Sequence, residues 1–208
     1  MSRKSHKHKS YMKKPSKHKP QKRKSKNKKP IILILAFCLI VAVVVIYSMT
    51  RQGGPSPDKV LLSTNMGNIT IQLYDDMPIT TGNFKNLVQQ GTYDGTIFHR
   101  VIDGFMIQGG DPTGTGYGDS SIPSIKDEFT DHNRNDRGTI SMANSGPNTG
   151  SSQFFINIVD NNYLDSKHPV FGKVIEGMIV VDNIAKVETD ENDRPLQDVS
   201  IMKAELVN

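Results

Sequence analysis

From residue 59 onward the apolar residues come in short runs that Gly, Asn, Asp and Pro interrupt, a spacing that suits short strands and leaves little room for long helices. The pattern predicts strands at 60–64 and 69–74, joined by an Asn65-Met66-Gly67-Asn68 turn, and further strands at 96–102, 105–108, 139–143, 154–158, 170–174 and 199–206. Only two helices fit. In the first, over 78–90, Pro78 lies in the opening turn, Phe84, Leu87 and Val88 make an i, i+3, i+4 stripe, and Gly91 follows as the stop. The second covers 178–186, with Met178, Val181, Ile184 and Ala185 facing inward. Without βαβ alternation, this order predicts a mainly β fold, a closed antiparallel barrel capped by the two helices.

Charge divides the chain. Of 26 Lys and Arg, 15 fall in residues 1–57, where there is no acid, leaving 11 basic against 21 acidic residues in the remainder. The net +5 is therefore +15 on one segment and −10 on the other. Residues 1–30 are Lys, Ser, His and Pro with almost nothing to bury, which predicts a disordered basic tail. Such a tail by itself would suit nucleic acid or acidic lipid. The run at 31–47 favours lipid, because it holds no charged residue and is apolar all round a helix. At 1.5 Å per residue, extending it to Thr50 gives about 30 Å, the thickness of a bilayer core. The expectation is a transmembrane helix over 31–50, retained as a signal anchor, since no small-x-small cleavage pattern closes the run before Gly53. With 14 cations before the run and only Arg51 just after it, the N-terminus is expected in the cytoplasm and the β domain on the extracytoplasmic side. Residues 51–58, with Gly53, Gly54, Pro55 and Pro57, form a linker, and 59–208 the folded domain. Cys38 is the sole cysteine, so an intrachain disulfide is excluded.

Chemistry concentrates in two stretches. The first is Ile97-Phe98-His99-Arg100-Val101-Ile102-Asp103-Gly104-Phe105-Met106-Ile107-Gln108-Gly109-Gly110-Asp111, read as two strands reversing at Asp103-Gly104. Period-two alternation places Phe98, Arg100 and Ile102 on one face, a guanidinium between apolar neighbours, and Met106 and Gln108 on one face of the next strand. His99 then points to the opposite face and reads as structural. The second stretch is Ser141-Met142-Ala143-Asn144-Ser145-Gly146-Pro147-Asn148-Thr149-Gly150-Ser151-Ser152-Gln153-Phe154-Phe155-Ile156, a strand, a polar loop and a strand that puts Gln153 and Phe155 on one face. Between them, 111–127 is rich in Gly, Ser and Pro and reads as an ordered surface loop. Its Gly114, Gly116 and Gly118 lack the strand-to-helix setting of a nucleotide-binding loop.

Both stretches, followed by Tyr163-Leu164-Asp165 and Lys167-His168-Pro169-Val170-Phe171-Gly172-Lys173-Val174, resemble the signature blocks of the cyclophilins, the cyclosporin-binding peptidyl-prolyl cis-trans isomerases. The resemblance spans roughly residues 60–206 and implies an eight-stranded barrel. It implies Arg100 as the catalytic arginine, acting with Phe105 and Gln108. Met106, Phe155 and Leu164 join Phe105 as walls of a proline pocket, Ala143 and Asn144 hold the substrate backbone together with Gln108, Gln153 braces the arginine, and His168 closes the rim. Tyr163 stands where many members carry Trp, which implies weakened cyclosporin binding with an intact proline pocket. The implied partners are proline-containing peptides and folding proteins, and the implied reaction calls for no cofactor, metal or nucleophile.

That chemistry suits these residue types. Rotation about an X-Pro amide crosses a barrier of about 18–20 kcal/mol and takes tens to hundreds of seconds unaided. The twisted amide is less polar than the planar one and exposes a basic nitrogen, so an apolar pocket with one fixed guanidinium donor favours it. The competing expectation is a membrane-tethered module that binds proline segments without turning them over.

Overall fold

The computed structural model describes residues 58–208. The basic tail, the 31–50 helix and all but the last residue of the 51–58 linker lie outside the described residues. No helix among the described residues is long and apolar enough to cross a membrane.

Eight strands form one antiparallel sheet: β1 (Lys59–Thr64), β2 (Gly67–Leu73), β3 (Arg100–Ile102), β4 (Met106–Gly109), β5 (Thr139–Met142), β6 (Phe154–Asn157), β7 (Val170–Glu176) and β8 (Ile201–Val207). Two helices accompany them, α1 (Pro78–Gln89) and α2 (Met178–Ile184). The expected elements are all present, with ends displaced by at most four residues. The largest displacement is at 96–102, where only Arg100–Ile102 is strand.

The expected closed barrel is corrected. The strands run β3-β4-β6-β5-β7-β2-β1-β8, so β3 and β8 are edges and the sheet is an open half-barrel. The reason lies in the ladders available to those edges. β3 has three residues, and its outer side is taken by a loop, through the Val101 N–H donating to the Asp193 carbonyl at 2.8 Å. The chain before β3 meets the start of β8 through an isolated bridge, Ile97 to Ser200, and backbone hydrogen bonds from Gly95 to Ile201, Ile201 to Thr96 and Phe98 to Val199, but these precede β3 and do not extend into a ladder along it.

The local signals explain the helices. Pro78 opens α1, whose N-cap residue Met77 offers no side-chain bond. Glu128, distant in sequence, accepts from the Thr80 N–H at 2.6 Å and satisfies one of the free donors of the first turn. The buried stripe of α1 includes Phe84, Leu87 and Val88, as its spacing requires. Phe84 meets Tyr93, Phe154 and Phe171 at ring-centroid distances of 5.0–5.5 Å, and this aromatic cluster fills the core beneath the sheet. β5 and β6 are buried on both faces, which frees one face of each for the core and the other for a site.

Candidate active site

Register assembles the site. Arg100 on β3 lies opposite Gln108 on β4, and Gln108 lies opposite Phe155 on β6, so three of the residues singled out in the sequence form one row across three strands. Two residues along, the next row is Ile102, Met106 and Asn157 on the same face. Gly104, at φ +70°, makes the reversal that returns β4 beside β3. Phe105 follows that turn and stands at the rim.

These rows surround a cavity of about 220 Å³ lined by Arg100, Phe105, Met106, Gln108, Ala143, Asn144, Phe155, Leu164 and His168. Met106 and Phe155 are almost fully buried and form an apolar floor. His168 is fixed by its Nδ1, 3.0 Å from the Met142 carbonyl oxygen, and its ring meets Phe155 edge-on at 5.3 Å. Asn144 donates to the Lys167 carbonyl at 2.8 Å, tying the 143–149 loop to the segment that carries Leu164 and His168. The volume is below the roughly 300–1,000 Å³ of drug-sized sites, room for a small ring and part of the chain beside it. A second hollow of about 180 Å³ shares Gln108, Ala143 and Asn144 with it and continues past Tyr117 and Gln153. A larger groove, about 650 Å³, lies around Met66, Val187 and Leu196 and includes none of the site residues.

Two of the expected residues stand elsewhere. Tyr163 lies outside the cavity lining, 67% exposed, with its ring stacked on Phe105 at 6.4 Å and 19°. Gln153 lines the neighbouring hollow and accepts from Gln108 Nε2 at 2.9 Å, while donating to the Gly116 carbonyl at 3.0 Å. It braces Gln108 where the resemblance implied that it braces Arg100. The guanidinium pairs instead with Asp193, through Nε at 3.2 Å. Phe98, expected to share the Arg100 face, is a core residue with no exposure, because the chain before Arg100 is not strand and the alternation does not extend back to it.

Two features were not anticipated. Asp111, fully buried, accepts from the N–H groups of Thr113, Gly116 and Gly118. Burial works against its charge, yet these donors hold its carboxyl below the ordinary carboxylate range, and the loop they shape presents the Gly116 carbonyl to Gln153. His99, against Gly116, is buried beneath the loop that Asp111 shapes, and that burial pushes its pKa below the ordinary histidine value, in keeping with a structural role. The second feature is a buried amide network behind the pocket. Asn157 donates to Thr139 Oγ1 at 2.9 Å and Asn135 Oδ1 at 3.3 Å. It accepts from Asn161 Nδ2 at 2.8 Å, and Asn161 Nδ2 also donates to the Phe105 carbonyl at 2.9 Å. The network therefore reaches the pocket wall.

A small cavity with an apolar floor of Met106 and Phe155 and one guanidinium at its side can take an apolar ring and offer it a charged donor, an arrangement that calls for no covalent chemistry. The comparisons agree. Residues 59–206 match the family described as cyclophilin type peptidyl-prolyl cis-trans isomerase/CLD. The chain is similar to peptidyl-prolyl cis-trans isomerase-like 1 of Neurospora crassa, 49% identical over 152 residues that are 71% of this chain and 93% of the relative. It is also similar to peptidyl-prolyl cis-trans isomerase ppi1 of Schizosaccharomyces pombe, at 48% over 149 residues, 69% and 95% of the two chains. Peptidyl-prolyl cis-trans isomerase CYP71 of Arabidopsis thaliana is 52% identical over 150 residues, and there the match spans only 24% of the relative's length. A solved cyclophilin-type isomerase of Cryptosporidium parvum, crystallised in the presence of the dipeptide Ala-Pro, superposes with a TM-score of 0.69 at 35% identity, covering 72% of this chain and 99% of that one. The chain belongs to the cyclophilin-type peptidyl-prolyl cis-trans isomerases.

Proposed function

We propose that this domain accelerates rotation about X-Pro bonds in folding proteins, with Arg100 and the pocket around Phe105, Met106 and Phe155 as its working parts, and that it does so tethered to a membrane. The single observation that carries the reading is the row Arg100-Gln108-Phe155, which sets a guanidinium over an apolar floor. The prolyl ring enters the cavity, and Ala143 and Asn144 hold the flanking backbone as an added strand would be held. The apolar walls favour the twisted amide over the polar planar one, and the guanidinium donates toward the prolyl nitrogen as its lone pair appears. Arginine suits this role because its charge is constant and its donors are set in a plane. No bond other than the rotating one changes, so no proton or nucleophile is required. In a protease-coupled assay the full-length chain should accelerate cleavage of the cis fraction of an Ala-Pro peptide, and an unchanged rate would overturn the reading.

The anchor rests on the uncharged run at 31–47 and on the 14 cations that precede it. Its consequence is an N-terminus in the cytoplasm and the isomerase domain on the extracytoplasmic side. Protease added outside intact cells should digest residues 58–208 and spare the Lys-rich tail. Protection of the domain until the membrane is opened would invert the orientation.

Tyr163 sets the expected response to cyclosporin, a ligand larger than a proline. Its phenol stacks on Phe105 at the exposed rim, where an indole would give a broader face and a side-on N–H donor. Losing part of that face and one hydrogen bond should weaken the drug by about tenfold to a hundredfold. Tyr163→Trp should restore inhibition with little change in peptide turnover. Equal inhibition of the native and Trp forms would remove Tyr163 as the cause.

A further inference from the structure

We infer that Asp193 is a positioning residue for Arg100, holding the guanidinium by Nε so that its two terminal nitrogens face the cavity; the inference rests on the isomerase reading above. Among the described residues the hydrogen bond that the guanidinium makes is the one from Nε to Asp193 Oδ2, at 3.2 Å. The amide directly across the ladder, Gln108, is engaged with Gln153 and does not reach it. Without Asp193, nothing would fix the plane of a side chain that is 43% exposed on a three-residue edge strand.

The carboxylate is delivered by a built loop. Asp193 has φ +64°, one of two non-glycine residues with positive φ among the described residues, a conformation that Asp and Asn tolerate better than other L residues. Both its main-chain groups are pinned: its N–H donates to the Asp190 carbonyl at 3.1 Å, and its carbonyl accepts from the Val101 N–H, next to Arg100, at 2.8 Å. Asp190 closes the loop by accepting from the N–H groups of Asn192 at 2.8 Å and Arg194 at 3.0 Å. Arg194 Nη1 then donates to the Gly114 carbonyl at 2.9 Å, fastening this loop to the one that Asp111 shapes. The backbone that carries Asp193 is thus bonded to the strand that carries Arg100, and the distance between the two charges is set by main-chain hydrogen bonds.

An ion pair this exposed contributes little to stability, so orientation is where its effect should lie. Engaging Nε leaves Nη1 and Nη2 free and fixes the direction of both, because the guanidinium is planar. Donors held in place before the amide twists need no reorganisation as it twists.

The test separates carboxylate from backbone in the full-length chain. Asp193→Gly keeps the positive φ and removes the carboxylate, while Asp193→Asn keeps both the conformation and an acceptor oxygen. Asp193→Gly should lose about tenfold in kcat/KM, mostly in kcat, and Asp193→Asn should return to within about threefold of wild type. In an Arg100→Ala background Asp193→Gly should cost nothing further, an outcome that a purely structural effect would not give. An Asp193→Gly variant as active as wild type, an Asn variant as impaired as the Gly variant, or a further loss in the Arg100→Ala background would overturn the inference. If Asp193→Gly does not fold, the Arg100 Nε–H resonance of the wild-type chain carries the test: slowed exchange with water relative to Asp193→Asn is expected, and equally fast exchange in both would overturn the inference. A wild-type chain without activity would overturn the isomerase reading first, and is thereby distinguished from an active wild type indifferent to Asp193.

Discussion

Replacing Arg100 by Ala should lower kcat/KM for an X-Pro peptide by about two to three powers of ten, the usual cost of removing one donor aimed at transition-state charge. The loss should fall on kcat, because the proposed binding floor of Met106 and Phe155, expected to hold the ring in planar and twisted forms alike, is untouched. The fold should survive. Arg100 and Asp193 are 43% and 41% exposed, and an ion pair so placed is worth about 0–1 kcal/mol. Arg100→Lys should recover only part of the rate, since an ammonium keeps the charge without the planar pair of donors. Steady-state kinetics together with a thermal melt checks both statements. A variant with wild-type kcat would place the catalytic donor elsewhere.

Replacing Asn157 by Leu should cost about 3–5 kcal/mol of stability, a larger effect than at any surface position of the site. Asn157 has no exposure, and its amide joins Thr139, Asn135 and Asn161 in one network. A leucine of similar size fills the space and removes the bonds of Asn157 to Thr139, Asn135, Ser141 and Asn161, leaving each of these buried groups with fewer partners in a place water does not reach. In a domain of about 150 residues this corresponds to a fall in Tm of about 10 °C or more. The change should also reach the pocket, since Asn161 would keep its bond to the Phe105 carbonyl but lose the one that orients it. KM for the peptide should therefore rise along with the loss of stability. Chemical denaturation of both proteins measures the first effect, and a melt within about 2 °C of wild type would show that the network is not structural.

The two predictions concern residues that were unequally visible in the sequence. Arg100, Met106, Gln108 and Phe155 could be found because strand alternation and two tight loops set them on common faces, and ladder register then placed them in adjacent rows. Local periodicity failed where pairing was not local. Alternation carried back through 96–102 puts Phe98 on the Arg100 face, but the strand begins at Arg100, and eight strands of suitable length imply a closed barrel that the edges do not complete. Closure depends on what lies along the outer edge of β3, and a loop 90 residues later occupies that edge. The same loop hides Asp193 from a sequence reading: in Thr189-Asp190-Glu191-Asn192-Asp193-Arg194-Pro195 it is one more acid in a turn. Asn135, Asn157 and Asn161 gave no signal either, since asparagine near a turn is ordinary. Only the folded chain shows that their side chains meet behind the pocket.

Exchange spectroscopy on an Ala-Pro peptide, with a substoichiometric amount of the full-length chain, tests the central claim most directly, because it observes binding and rotation in one sample. The account predicts cis–trans exchange cross-peaks that are absent without protein, weaken by about two powers of ten or more with Arg100→Ala, and accompany shifts of Met106, Phe155 and His168 resonances in both proteins. Shifts of those three residues in the wild-type chain without any gain in exchange would contradict it and leave a proline-binding module in place of an enzyme.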